Sequence, residues 1–224
     1  MVIGCNNDVT NQLNPSPNPV NPIDTIKKIT YLALGDSYTI GESVEINQRF
    51  PVQLINSLRG RGYSCEDAEI IARTGWRTDN LMTAINGQNI TDTFNLVSLL
   101  IGVNNQYQGR PINVYRTEFR QLLEQAIAFA GGDENKVFVL SIPDYGVTPF
   151  GSSNTAQISS EIDTYNAINL EITDSLKVQY FDITPISRMA ANDPALLAND
   201  QLHPSGKMYQ LWVSLMLNGV EAKL

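Results

Sequence analysis

The sequence predicts an α/β protein, with residues 29–224 forming a three-layer α/β/α domain around a mostly parallel five-stranded sheet. Two observations carry this. Five short runs rich in β-branched and aromatic residues are largely apolar on both faces, as strands covered from two sides are. Longer runs with apolar residues at helical spacing separate them, and repeated strand-helix alternation builds a parallel sheet clothed by helices. The chain of 224 residues has the size and ordinary composition of one globular domain rather than two.

The elements follow in order. Residues 1–28, opening "MVIGCNNDVTNQLNPSPNPVNPID", are dense in Asn and Pro and lack an apolar period. They cannot bury enough surface to offset their ordering entropy and read as a flexible tether. "ITYLALG" (29–35) is the first strand, and "PVQLINSLRGRG" is a helix running from Pro51 to a glycine stop. "AEIIART" (68–74) is the second strand, followed by "RTDNLMTAING", a helix with Thr78 or Asp79 as its cap. "NLVSLLIG" (95–102) is the third strand. The next segment places Val114, Phe119, Leu122, Leu123, Ile127 and Ala130 near helical spacing and stops at Gly131-Gly132. "KVFVLSI" (136–142) is the fourth strand and "TAQISSEIDTYNAINLEITDSLK" the helix after it. "VQYFDI" (178–183) is the fifth strand, and "PSGKMYQLWVSLMLNGV" closes the chain as a helix with Pro204 as its first residue.

A formal net charge of −8 speaks against nucleic acid, because phosphate binding needs a surplus of Lys and Arg gathered on one face. No apolar stretch approaches the roughly 18 residues of a membrane-spanning helix. With two cysteines, Cys5 and Cys65, and the single histidine His203, a metal site built from several such ligands is excluded, and no cofactor is implied. Cys65 reads as a free thiol near the start of a strand; a Cys5–Cys65 disulfide, tying the tether to the domain, is the other reading. "VIGC" resembles the lipobox of bacterial lipoproteins, in which the cysteine carries lipid after signal cleavage. The rest of such a signal does not precede it, so Met1 reads as a start residue on a trimmed chain. A chance tetrapeptide is the alternative. On the lipoprotein reading the protein is an extracytoplasmic envelope protein that meets membrane only through a lipid on Cys5.

Ligands of an open parallel sheet bind beyond the carboxyl ends of its strands. Those positions hold Gly35-Asp36-Ser37, Gly75-Trp76, Asn104-Asn105 and Pro143-Asp144-Tyr145, while "NDQLHPSG" precedes the last helix. A serine hydroxyl is a weak nucleophile until a base takes its proton, and an imidazole does this best when a carboxylate fixes its tautomer. The spacing Asp200-Gln-Leu-His203 lets the acid reach Nδ1 while Nε2 points at Ser37. Backbone N–H groups of Ser37 and Gly75 and the side-chain amide of Asn104 are donors for an oxyanion. The expected rate falls at acid pH, where the imidazole takes up a proton.

These residues resemble the SGNH hydrolases, also called the GDSL esterase/lipase family. Its first block matches "GDSYT", its second the glycine of "ARTGWRT", its third "GVNN", and its fifth, Asp-x-x-His, matches "DQLH". The likeness spans roughly residues 29–220. It implies a flavodoxin-like fold, with Ser37, Asp200 and His203 catalytic and Ser37, Gly75 and Asn104 forming the oxyanion hole. It departs at Asn105, where the family commonly has Asp, which puts local hydrogen bonding in question, and at Tyr38, where the family name would put Leu. The implied activity is ester hydrolysis through an acyl-enzyme, on short acyl groups such as acetyl, with a small molecule or glycan as substrate. Lysophospholipids, other lipids and thioesters are alternatives on the same blocks, and a non-catalytic glycan-binding lipoprotein is an alternative of another class.

Taken singly, each residue has a plainer reading. Ser37 is a turn residue and His203 a packing histidine if their partners are ignored. Asp36 reads as a backbone acceptor at the turn, and Asp144 as a loop cap ahead of a substrate contact. Tyr38, Trp76, Tyr107 and Tyr145 either line the pocket or pack the loops. Asn89-Ile-Thr91 fits a glycosylation acceptor, which has no bearing on a bacterial lipoprotein. The Gly-x-Ser-x-Gly elbow is absent, and "GDSYTIG" lacks the spacing of a dinucleotide or phosphate loop.

Overall fold

The computed structural model describes residues 1–2, 4 and 28–224. Cys5, its lipid or disulfide, and most of the tether lie outside the described residues. The strands are β1 (Tyr31–Gly35), β2 (Glu69–Ala72), β3 (Leu96–Leu100), β4 (Val137–Leu140) and β5 (Gln179–Phe181). The α-helices are α1 (Ser37–Ile40), α2 (Phe50–Gly60), α3 (Thr78–Gln88), α4 (Val103–Tyr107), α5 (Ile112–Phe129), α6 (Thr155–Ser175), α7 (Thr184–Arg188) and α8 (Gly206–Glu221).

All five strands are parallel, in the order β2-β1-β3-β4-β5. This is the order of flavodoxin-like folds, as expected. From β1 the chain steps outward to β2, then crosses back to β3 and on to β5. Right-handed crossovers put α2 on one face and α3, α5 and α6 on the other. α8 returns to pack on α2, while α5 lies against both α3 and α6. The direction of winding reverses between β1 and β3, and that reversal opens a crevice at their carboxyl ends. Gly35 is in register with both Ala72 and Leu100, so the loops after β1, β2 and β3 leave the sheet at one height.

The core explains why the central strands were legible: β1, β3 and β4 are buried along their whole length. On the α8 side, Tyr209, Trp212 and Met216 recur at helical spacing, fully buried against Phe50 and Leu54 of α2. Burying each such side chain contributes roughly 1.5–3 kcal/mol. The Tyr209 hydroxyl donates to the Tyr38 carbonyl at 2.9 Å, which ties α8 to the turn after β1.

Two helix starts differ from expectation. α3 begins with Thr78 itself, behind Arg77, and the Arg77 N–H donates to the Asn80 side chain at 3.1 Å. α8 begins at Gly206, not Pro204. Ser205 is its cap, accepting from Met208 N–H, while Pro204 forms an antiparallel bridge with Leu197. The Ala198 N–H donates to the His203 carbonyl and the Ser205 N–H to the Leu196 carbonyl, both at 2.8 Å, so this stretch pairs with its own loop rather than entering the helix. Cys65 is buried near the start of β2 and bridges Ile29.

Candidate active site

The first strand ends in glycine because the chain doubles back on itself. A Cβ at Gly35 would lie 2.1 Å from Thr39 Oγ1 and 2.4 Å from the Leu100 carbonyl oxygen. The turn of α1 that follows leaves one amide unclaimed. Asp36 Oδ1 accepts from Tyr38 N–H at 3.0 Å, and the Asp36 carbonyl accepts from Thr39 and Ile40. The Ser37 N–H is the remaining orphan of this first turn, free for a ligand.

Asp200 and His203 share one loop. The carboxylate Oδ2 lies 2.6 Å from His203 Nδ1, and Oδ1 accepts the backbone N–H groups of Leu202 and His203 at 3.0 Å. A further donor comes from the other end of the chain: the Ser43 hydroxyl donates to the same Oδ2 at 2.6 Å. Ser43 holds this position in the left-handed region, at φ 64°, which a non-glycine residue adopts only where its surroundings enforce it. Partial burial pushes the Asp200 carboxyl up, but bonds from Ser43, the imidazole and the two amides outweigh it and hold the group well below the usual carboxylate range. Asp200 is therefore a fixed negative charge that orients the ring. Ser43 was missed in the sequence because nothing in the spacing of a lone serine links it to an acid 157 residues away.

Gly75 sits at φ 82°, which lets the loop after β2 turn at the crevice. Asn104 Nδ2 donates to the Trp76 carbonyl at 3.0 Å. That bond fixes the amide and leaves its second N–H available. Asn105, fully buried, accepts from Thr78 N–H at 3.1 Å and donates to Thr78 Oγ1 at 2.6 Å. The Thr78 hydroxyl spends its own proton on Glu118, so it needs a donor in return. An ionised Asp would have none to offer, so a carboxamide at position 105 suits this network.

Ser37, Gly75, Asn104 and His203 line one cavity of about 140 Å³, together with Tyr38, Tyr107, Tyr145 and Phe150. Tyr38 is buried with its ring edge-on to His203 at 5.7 Å between centroids. The Ser37 hydroxyl and the imidazole face this space without a hydrogen bond between them, a bond of the kind that tightens when substrate arrives. Trp76 is not among the lining residues; its ring packs against the core. Phe150 is a lining residue the sequence reading did not name, since it follows no strand directly. Asp144 caps its loop by accepting from Gly146 N–H at 2.8 Å and pairs with Arg188 at 2.9 Å.

Asp36 is buried, and burial, only partly offset by the Tyr38 amide, pushes its carboxyl up from 3.8 to about 7. Its Oδ2 has no hydrogen-bond partner among the described residues. The sign follows from proton uptake: between these two values the folded chain holds a proton that the unfolded chain has lost. Stability therefore falls as pH rises from about 4 to about 7, by on the order of 4 kcal/mol from this group. Asp36→Asn keeps the Oδ1 acceptor and cannot ionise. Its urea midpoint is expected to fall less than that of the wild type between pH 5 and pH 8, and parallel midpoints for the two proteins would remove Asp36 as the cause.

The family described as GDSL-like lipase/acylhydrolase matches residues 33–211. Among solved structures, the lipase/acylhydrolase from Enterococcus faecalis superposes with a TM-score of 0.64 at 20% identity, covering 88% of this chain and 97% of that one. The acetylxylan esterase Axe2 from Geobacillus stearothermophilus gives 0.64 at 16% identity over 87% and 95%. The psychrotrophic esterase EstA from Pseudoalteromonas sp. gives 0.63 at 16% over 86% and 97%. At these identities the likeness is one of fold. No curated relative matches the chain in sequence.

Proposed function

Because the chain belongs to the GDSL-like lipase/acylhydrolase family and is an ester hydrolase, we propose that it cleaves short-chain carboxylic esters by double displacement at Ser37. The observation that carries this is the charge-assisted Asp200–His203 pair, 2.6 Å apart, with the imidazole opening into the cavity that Ser37, Gly75 and Asn104 also line. In the first half-reaction Ser37 Oγ attacks the carbonyl carbon as its proton passes to His203 Nε2. Asp200 stabilises the imidazolium. The Ser37 and Gly75 amides and the Asn104 side chain donate to the oxyanion, in a setting where such bonds are worth more than in water. Collapse expels the alcohol, which takes the proton from Nε2, and leaves the acyl group on Ser37. In the second half-reaction, water gives a proton to His203 Nε2 as it attacks the acyl carbon, and collapse breaks the bond to Ser37 Oγ, which takes that proton back as the acid leaves.

The preference for short acyl groups rests on space. The cavity beside the serine, about 140 Å³, is close to the roughly 150 Å³ void that admits benzene and has room for acetyl or butyryl. Across p-nitrophenyl acetate, butyrate, octanoate and decanoate, kcat/KM should drop at least tenfold beyond butyrate. A profile that rises through octanoate would favour the lipase and lysophospholipase reading. The domain of residues 29–224 would work outside the cytoplasm, held to the envelope by a lipid on Cys5 at the start of residues 1–28, as "VIGC" followed by an Asn/Pro-rich stretch suggests. Metabolic labelling with palmitate, expected in the secreted precursor and lost in Cys5→Ala, checks this; labelling that survives the substitution would overturn it.

A further inference from the structure

A second cavity, of about 500 Å³, adjoins the first and shares Tyr107, Tyr145 and Phe150 with it. We propose that it is the leaving-group subsite for a neutral polyhydroxylated ring, a sugar residue whose hydroxyl carries the ester. The proposal rests on the serine-esterase reading and adds the class of alcohol to it.

The shared wall is an aromatic cluster at the edge of the core, with Tyr145 buried in the core and Tyr107 and Phe150 standing outside it. Tyr107 contacts Phe150 and Tyr145 with ring centroids 5.8 and 6.1 Å apart, and Tyr145 and Phe150 are 6.1 Å apart. Tyr107 and Phe150 are nevertheless 58% and 53% exposed, beside the reactive serine. Exposed rings at the mouth of a reactive cavity offer a flat apolar surface to the C–H face of a ring substrate.

Beyond these rings the wall turns polar in an ordered way. Tyr145 donates its hydroxyl proton to Gln106 Oε1 at 2.9 Å, Gln106 Nε2 donates to Glu161 Oε2 at 2.6 Å, and Gln157 Nε2 donates to Glu161 Oε1 at 2.9 Å. The bonds from Gln106 and Gln157 hold the Glu161 carboxyl below its usual range, so it stays an acceptor at neutral pH. Asn154 adds another carboxamide. Each carboxamide keeps a free donor or acceptor position and each carboxylate oxygen a free lone pair. A set of donors and acceptors this dense, on a chain whose orientation is already fixed, matches hydroxyl groups, which donate and accept at once.

The same lining argues against the other alcohols. A fatty alcohol would set hydrocarbon against the carboxylate and carboxamides and leave their remaining donor and acceptor positions without partners. A phosphate headgroup would need cations, and the lining contains no Lys or Arg while it does contain Glu161. A ring rich in hydroxyls meets both the aromatic face and the free donors and acceptors of this wall.

The test compares a mono-O-acetylated methyl glycoside with ethyl acetate, two alkyl acetates that differ in the alcohol. The wild type is expected to favour the glycoside by at least tenfold in kcat/KM. Glu161→Gln, Gln157→Ala and Phe150→Ala should each reduce that ratio threefold or more. Turnover of both esters at comparable kcat/KM, with a ratio the three substitutions leave alone, overturns the subsite while the esterase stands. Should the folded protein turn over no ester, the esterase reading fails, and calorimetric titration with xylotriose decides the subsite by itself. Binding that Glu161→Gln weakens supports it, and absence of binding at millimolar saccharide overturns it.

Discussion

Ser37→Ala is expected to lower kcat on p-nitrophenyl acetate by about four orders of magnitude or more, because removal of a nucleophile leaves only binding and oxyanion stabilisation. The substitution removes one oxygen from a residue that is 4% exposed and caps nothing, so far-UV circular dichroism and the urea midpoint should be unchanged. This pairing of results matters. Activity lost with the fold intact places the chemistry on that hydroxyl. Equal rates in the two proteins would mean that the ester reacts elsewhere, and no rate in either would revive the binding lipoprotein that keeps the fold without the chemistry.

The second large effect lies one step back from the reacting atoms. Asp200→Asn preserves shape but replaces a carboxylate with a group that can present an N–H or a weaker acceptor to Nδ1, and a loss of about 10³–10⁴ in kcat is expected, with KM little changed. Ser43→Ala acts through Asp200 and should cost less, roughly three- to tenfold in kcat, since a charge-assisted bond in a solvent-facing position is worth only part of its buried value. His203 is the sole histidine, so its ring protons can be followed against pH by NMR without assignment. A positioning role for Ser43 requires the His203 titration to move in Ser43→Ala. A rate loss with that titration unmoved would make Ser43 merely structural.

Those two residues also mark what could and could not be seen in the sequence. The strands were legible because a strand buried on both faces has no choice of residue type, as "LALG" and "VFVL" show. The carboxyl ends of β3 and β4 ran two residues long because Ile101 and Ile142 are as buried as the paired residues before them, although the ladder has already stopped. Ser37, Asp200 and His203 were visible because each sits where the fold exposes strand and loop ends and because the chemistry needs those groups together. Asn104 was visible for the same reason, and its neighbour Asn105 only as a deviation, since the demand of the Thr78 hydroxyl is a three-dimensional fact. Pro204 misled because proline favours a helix's first turn in general, while here a pairing with Leu197 claims it. Ser43 and Phe150 reach the site from loops whose paths no local pattern encodes.

One consequence concerns how the site comes into being. Ser37 follows the first strand and the Asp200–His203 pair precedes the last helix, and the bonds that join these regions span 157 residues for Ser43–Asp200 and 171 for Tyr209–Tyr38. Contacts so distant along the chain carry a larger closure entropy than local ones. A refolding chain can regain helices and most of its parallel ladder while its serine still lacks a base. Recovery of ester hydrolysis during refolding would then report whether the two ends of the polypeptide have met.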